Sequence, residues 1–298
     1  MIINRRRFLG GTLGSSLIAA ARPSGAVVVL DSTWRAEGGR PGRESEGFGA
    51  HIRLANQPQF ASLVAMSGDR GESWGIGSGT WIGNVGGRGH ILTAGHVFGE
   101  GEGARTFLYR SNRGTVHYAR NVEFHPLWNG DVHEREGYDL ALVTLATPVT
   151  DAGPPPALFE GQIEVGDRVV MIGFGGRGIA SVGEHEEYHR HSDKAAAENI
   201  VNDVEDAEHP VPHDGNAGNW FSVKLRHESE GALRLEGILG GGDSGGSTWL
   251  RVGDDWAIAG VNSNGNGDER YGSESFFAQV SGVQEWIAER VPGVRFLG

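Results

Sequence analysis

Ser244 lies in the run Gly240-Gly241-Gly242-Asp243-Ser244-Gly245-Gly246-Ser247. Flanking glycines leave no side chain over its hydroxyl. They also accept positive φ, so successive backbone N–H groups can converge on one point. A hydroxyl beside converging N–H donors is the equipment of acyl transfer, a nucleophile next to an oxyanion hole. A chain with 50 glycines can also place a serine in a glycine-rich loop by accident, so the run needs partners elsewhere. A serine hydroxyl needs a base, usually an imidazole, and the imidazole needs a carboxylate to fix its tautomer. Ile91-Leu92-Thr93-Ala94-Gly95-His96-Val97 is an apolar, strand-like run ending in a histidine. Tyr138-Asp139-Leu140-Ala141-Leu142-Val143-Thr144-Leu145 is an acid followed by a β-like run.

The order His96, Asp139, Ser244 excludes rival scaffolds. Gly242-x-Ser244-x-Gly246 also fits the strained elbow that presents a serine in α/β-hydrolases, but there the histidine follows the serine. No histidine follows Ser244. The order acid, histidine, serine would need Asp31 or Asp69, and neither lies in a strand-like context.

Together the three motifs resemble those of the trypsin/chymotrypsin family of serine endopeptidases, over roughly residues 50–290. The resemblance implies an all-β fold: two six-stranded antiparallel β-barrels packed face to face, with a C-terminal helix. It implies that His96 is the base, that Asp139 orients it, and that the N–H groups of Gly242 and Ser244 form the oxyanion hole. Ile238, six residues before the nucleophile, would form the base of the primary pocket beside Leu239. Gly260-Val261-Asn262-Ser263-Asn264-Gly265 resembles the substrate-pairing strand, with Ser263 and Gly265 lining the pocket and Ser275 on its far wall. An apolar floor implies apolar or small residues before the scissile bond. In animal members a new N-terminal ammonium pairs with the acid before the nucleophile, here Asp243, and orders the oxyanion loop. This chain has no Ile-Val-Gly-Gly; Gly49-Ala50-His51-Ile52 lies near the expected place without matching, so the partner of Asp243 is open at this point. Cysteine is absent, and Val97 stands where animal members usually carry one, which fits a bacterial protein stabilised by packing.

The elements that must position these residues are short. From about Ala50 onward, β-rich runs such as Phe60–Met66, His90–Leu92, Arg168–Ile172 and Trp256–Val261 alternate with Gly/Asn turns, the pattern of a sandwich or barrel. Thr150-Asp151-Ala152-Gly153-Pro154-Pro155-Pro156 cannot join a sheet interior and reads as the connection between two barrels, about 49–150 and 151–279. Val280, Val283, Trp286, Ile287 and Val291 keep helical spacing, which predicts a helix over 280–291. Residues 177–219 turn polar and read as a surface insertion. Its His- and Glu-rich part, Gly183–His191, matches no metal-ligand spacing, and Asn262-x-Asn264-x-Asn266-Gly267 lacks the acids of a calcium loop. No metal and no cofactor is expected.

The start of the chain reads as an export signal over 1–26. Arg5-Arg6-Arg7-Phe8-Leu9 resembles a twin-arginine motif, Gly10–Ala21 is a short apolar run, and small residues follow. Residues 27–48 then read as a propeptide or linker, and 49–298 as the peptidase domain. The expectation is a protein exported to the periplasm or beyond, with no stable membrane insertion once the signal is gone. Twenty-six cations against 38 acids give a net charge of −12, which argues against nucleic acid as a partner. The expected partners are protein or peptide substrates, an inhibitor, or the chain itself in self-cleavage. The alternative is a catalytically silent binding or adhesion protein on the same fold, using 177–219 as its contact surface.

Overall fold

The computed structural model describes residues 27–99, 106–132, 137–189, 193–206 and 218–298. The expected signal, 1–26, lies outside them. The strands Leu63–Ser67, Gly77–Val85, Arg88–Thr93, Ala141–Leu145, Val116–Phe124 and Leu108–Arg110 pair in that order and close into an antiparallel barrel. A second run of strands is Ser247–Val252, Arg168–Gly173, Ala195–Glu205, Trp220–Lys224, Glu274–Gln279 and Asp255–Gly265. It closes when the last pairs with the first, Ser247 opposite Val261. The short strands Ala157–Phe159 and Arg295–Leu297 extend that sheet in parallel. Closure leaves few free edges on either barrel, which suits a chain built from many short strands. Thr150–Pro156 carries no strand and runs between the two barrels.

Among the described residues, each barrel keeps a buried cluster of its own and a third cluster spans both. Leu63, Ile82, Leu92 and Leu142 of the first pack in the same buried cluster as Ile172, Trp249, Ile258 and Val261 of the second. Phe60 meets Trp249 edge-on at 5.3 Å. A polar tie crosses the same seam, where Thr80 Oγ1 lies 2.9 Å from Ser247 Oγ. Buried polar atoms are tolerated there because each has a partner. The C-terminal helix runs over Gln284–Arg290 after a 3₁₀ turn at Ser281–Val283, shorter than the 280–291 span expected. Its Trp286 and Ile287 join the shared core.

Two expectations about the segments flanking the barrels are corrected. Residues 27–48 do not form a linker. Val28–Val29 inserts as a strand between Gly178–Ile179, in parallel, and Gly237–Ile238, antiparallel. Val27, Val28 and Val29 are wholly buried, Trp34 and Phe48 pack on Tyr188, and the helix Gly49–Ala55 lies against the second barrel, where His51 Nδ1 donates to the Ala196 carbonyl at 2.8 Å. An apolar run flanked by two large aromatics costs too much to leave in water. Within 177–219, the described residues 193–206 are not a surface insertion either. Their Ala195–Glu205 is a barrel strand paired on both sides, with Ala195, Ala196 and Ala197 wholly buried.

Candidate active site

His96 opens a 3₁₀ turn, His96–Phe98, directly after the strand Arg88–Thr93 of the first barrel. Asp139 sits just before Ala141–Leu145, the strand paired with it, so ladder register brings acid and imidazole together. Asp139 Oδ1 accepts the His96 backbone N–H at 2.9 Å, and Oδ2 accepts His96 Nδ1–H at 2.6 Å. That leaves Nε2 as an acceptor, 2.8 Å from Ser244 Oγ on the second barrel. Burial works to raise the Asp139 pKa, but the hydrogen bond and charge of His96, joined by Ser263, hold it below the usual carboxylate value. His96, Asp139 and Ser244 thus lie in one hydrogen-bonded line across the seam.

The turn that carries Ser244 explains its glycines. Gly242 has φ of +97°, and a Cβ there would sit 2.4 Å from the Gly75 carbonyl. Gly245, at φ +79°, would clash with Thr93 Oγ1 and the Ser78 carbonyl. Both need the left-handed region and the space, which only glycine supplies together. The Gly241 carbonyl accepts Gly176 N–H at 2.6 Å. Since a trans peptide points its C=O and N–H oppositely, this bond turns the Gly242 N–H away from Gly176. Among the described residues neither Gly242 N–H nor Ser244 N–H donates to a protein acceptor, so both remain available to an oxyanion. Ser78 clamps the turn from the first barrel. Its N–H donates to the Ser244 carbonyl at 2.8 Å and its hydroxyl to the Gly242 carbonyl at 3.0 Å.

Asp243, the neighbour of the nucleophile, is fully buried. Its Oδ1 accepts Gly175 N–H at 2.8 Å, and its Oδ2 accepts Gly240 N–H at 2.9 Å and Val27 N–H at 3.2 Å. Burial pushes its pKa up to about 7 against these three donors. Val27 is therefore the partner that the sequence left open. The signal was present as the apolar run Val27–Leu30, but nothing local ties that run to residue 243.

Ile238, Leu239, Ser263, Gly265 and Ser275 all line one cavity of about 140 Å³ that opens on Ser244. Ile238 and Leu239 are buried beneath it, and Ser275 Oγ is engaged by Leu239 N–H at 3.0 Å. Two lining carboxylates were not foreseen, Glu269 and Glu274. Glu274 accepts an amide N–H from each of Asn202 and Asn266, at 3.0 Å. Ser263 has a second place the sequence reading missed, since its hydroxyl donates to Asp139 Oδ2 at 2.6 Å. Beyond Asp139 a neighbouring hollow is lined by Trp128, Tyr138, Trp220 and Phe276. The His- and Glu-rich stretch is not wholly solvated, since Glu184 is nearly buried and accepts Gly241 N–H at 2.5 Å. Among the described residues, no group of three or more His, Asp or Glu side chains is placed to hold a metal ion. No helix among them is long and apolar enough to cross a membrane.

Two closed six-stranded barrels with a short C-terminal helix, and a hydroxyl, an imidazole and a carboxylate meeting at their seam, define a chymotrypsin-type architecture. A family model described as a trypsin-like peptidase domain matches residues 77–254, more than half of the chain. The chain belongs to that family. A peptidase domain implies protein or peptide substrates. No curated protein matches the chain.

Proposed function

We propose that this protein is an exported serine endopeptidase that hydrolyses peptide bonds through His96, Asp139 and Ser244. The observation that carries the reading is the continuous line from Asp139 Oδ2 through the imidazole to Ser244 Oγ, at 2.6 and 2.8 Å. Ser244 Oγ attacks the carbonyl carbon as its proton passes to His96 Nε2. Negative charge then develops on the carbonyl oxygen, facing the N–H groups of Gly242 and Ser244, a stabilisation of about 3 kcal/mol per donor. Collapse breaks the C–N bond, and the departing amine takes the proton from His96. A water molecule, deprotonated by His96, attacks the acyl carbon; the C–O bond to Ser244 breaks and the hydroxyl is restored. Asp139 keeps the ring in the tautomer that accepts at Nε2 and stabilises the imidazolium between steps.

The residue before the scissile bond is apolar or small in this reading. The floor is Ile238, and the Ser275 hydroxyl beside it is already occupied. Glu269 and Glu274 on the walls reject an acid there. Export rests on the arginine-led start of the chain. Removal of the leader after Ala26 would free the Val27 nitrogen as an ammonium, and that nitrogen lies 3.2 Å from Asp243 Oδ2. Leader removal would then set the oxyanion loop as well as release the protein.

A library of internally quenched peptides tests the reading. The protein starting at Val27 is expected to cleave after Ala, Val or Leu with a burst of acyl-enzyme, and Ser244→Ala to cleave nothing. Turnover that persists in Ser244→Ala would overturn the assignment of the nucleophile. Dominant cleavage after Arg or Lys would overturn the apolar preference and assign Glu269 and Glu274 as the recognition groups.

A further inference from the structure

A second cavity, of about 400 Å³, lies at the junction of the barrels and belongs to none of the machinery above. It is lined by Arg110 and Arg113, from the turn between the first-barrel strands Leu108–Arg110 and Val116–Phe124, and by Lys194, Asp193 and Phe174 of the second barrel. Three cations therefore face one carboxylate, in a chain whose net charge is −12. Such a reversal of local sign draws anions to the spot.

Two of these cations, Arg110 and Lys194, are held by neighbours. The Arg110 guanidinium lies 4.5 Å over the ring of Trp74, within cation–π range. Lys194 is 4% exposed, and its ammonium donates to the Phe60 carbonyl at 3.2 Å, a neutral partner. Burial without a carboxylate partner lowers the Lys194 pKa to about 8. An incoming carboxylate would supply the missing counter-charge.

The cavity also has a defined relation to Ser244. Its wall residue Phe174 donates its N–H to Ser78 Oγ at 2.9 Å, and Ser78 Oγ donates to the Gly242 carbonyl at 3.0 Å. Trp74, beneath Arg110, precedes Gly75, whose carbonyl abuts Gly242. The pocket for the acyl half of a substrate, floored by Ile238 and walled by Ser275, reaches Ser244 and shares no lining residue with this cavity. A peptide that crosses the nucleophile from that pocket and leaves past the Gly242 turn would run toward Phe174 and this cavity. On that path an extended leaving group, advancing roughly 3.3–3.6 Å per residue, would approach the cations.

We infer that Arg110, Arg113 and Lys194 form a subsite that selects substrates carrying Asp or Glu within the first few residues after the scissile bond. This rests on the peptidase reading above. Glu269 and Glu274 repel acids before the bond while this cluster attracts them after it, so the two sides together fix the direction in which an acidic segment is read.

The test compares internally quenched peptides that differ only in Glu or Ala at the second to fourth leaving-group positions, alongside an anilide whose leaving group ends at the bond. For the protein starting at Val27, the Glu peptides are expected to show about tenfold higher kcat/KM, carried by KM. The preference should shrink in about 0.5 M salt, where screening is short-ranged. Arg113→Glu, at an exposed position, is expected to remove the preference and leave anilide hydrolysis unchanged, and Lys194→Met to reduce it. Equal turnover of Glu and Ala peptides, or a preference untouched by Arg113→Glu, overturns the subsite. If no substrate is turned over, the peptidase reading fails. The subsite is then judged by fluorescence anisotropy of the Glu peptide on Ser244→Ala protein: binding lost with added Arg113→Glu supports it, and binding indifferent to that change rejects it.

Discussion

Asp139 and Asp243 are both buried, both adjoin the reacting centre, and each accepts three hydrogen bonds. Their acidities nevertheless move in opposite directions. Asp139 receives its bonds from the His96 backbone, the His96 ring and the Ser263 hydroxyl, and it is held below the ordinary carboxylate value. Asp243 receives its bonds from three backbone amides and is pushed up to about 7. Hydrogen bonds alone do not offset the loss of water around a buried charge; a partner able to carry the opposite charge does. Asp139 has that partner built into the fold. Asp243 has the Val27 amide, one bond cleavage from being an ammonium.

The largest effect should come from breaking the Asp139 side of the comparison. Asp139→Asn keeps the shape but lets His96 take the wrong tautomer, and kcat is expected to fall about 10³–10⁴-fold with KM nearly unchanged. A loss below tenfold would mean that the acid does not set the ring. On the other side, Asp243→Asn loses the charge and places N–H donors against N–H donors. It is expected to lower kcat about 10²-fold by loosening the Gly242 and Ser244 donors, while the thermal transition stays cooperative. Full activity in that variant would show that the oxyanion loop stands without Asp243.

A third change sharpens the comparison through pH. With residues before Val27 still attached, Asp243 has a folded pKa of about 7, above its unfolded value. The folded state then binds the proton more tightly. Its contribution to stability is full below about pH 4 and is lost as the pH rises through 7. With Val27 as the first residue, the ammonium favours the carboxylate and this slope should vanish or reverse. Melting temperatures of the two proteins between about pH 4 and 8 check the sign; parallel curves would contradict it. The smallest effect is Ser263→Ala. It removes one of three donors to Asp139 and is expected to cost roughly tenfold in kcat, near the low end of the about 1.5–3 kcal/mol for a hydrogen bond to a charged group.

The same comparison separates what the sequence made legible from what it did not. His96, Asp139 and Ser244 each sit in a local signature, a strand running into a histidine, an acid opening a strand, and a serine among glycines. Their order excluded rival scaffolds and carried the resemblance to the trypsin/chymotrypsin family. Ile238, Ser263, Gly265 and Ser275 were placed by the resemblance to the trypsin/chymotrypsin family, and they share one cavity. The contact between Val27 and Asp243 spans 216 residues and joins a backbone nitrogen to a carboxylate, so no side-chain type advertises it. Residues 27–48 misled for a related reason: their Arg, Glu and Gly content suggested a linker, while burial is carried by a few residues, Val27–Leu30, Trp34 and Phe48. The strand Ala195–Glu205 was hidden because its buried positions mix three consecutive alanines with Asn199, Val201, Val204 and Glu205, which leaves no clean apolar alternation to read.

The most direct measurement is the intact mass of the protein starting at Val27 after exposure to a fluorophosphonate, followed by peptide mapping. The account predicts one adduct per chain, on Ser244, absent from Ser244→Ala and formed about 10²-fold or more slowly in Asp139→Asn. No adduct on the folded protein, or one that maps to another residue, would contradict the claim that Ser244 is the activated nucleophile.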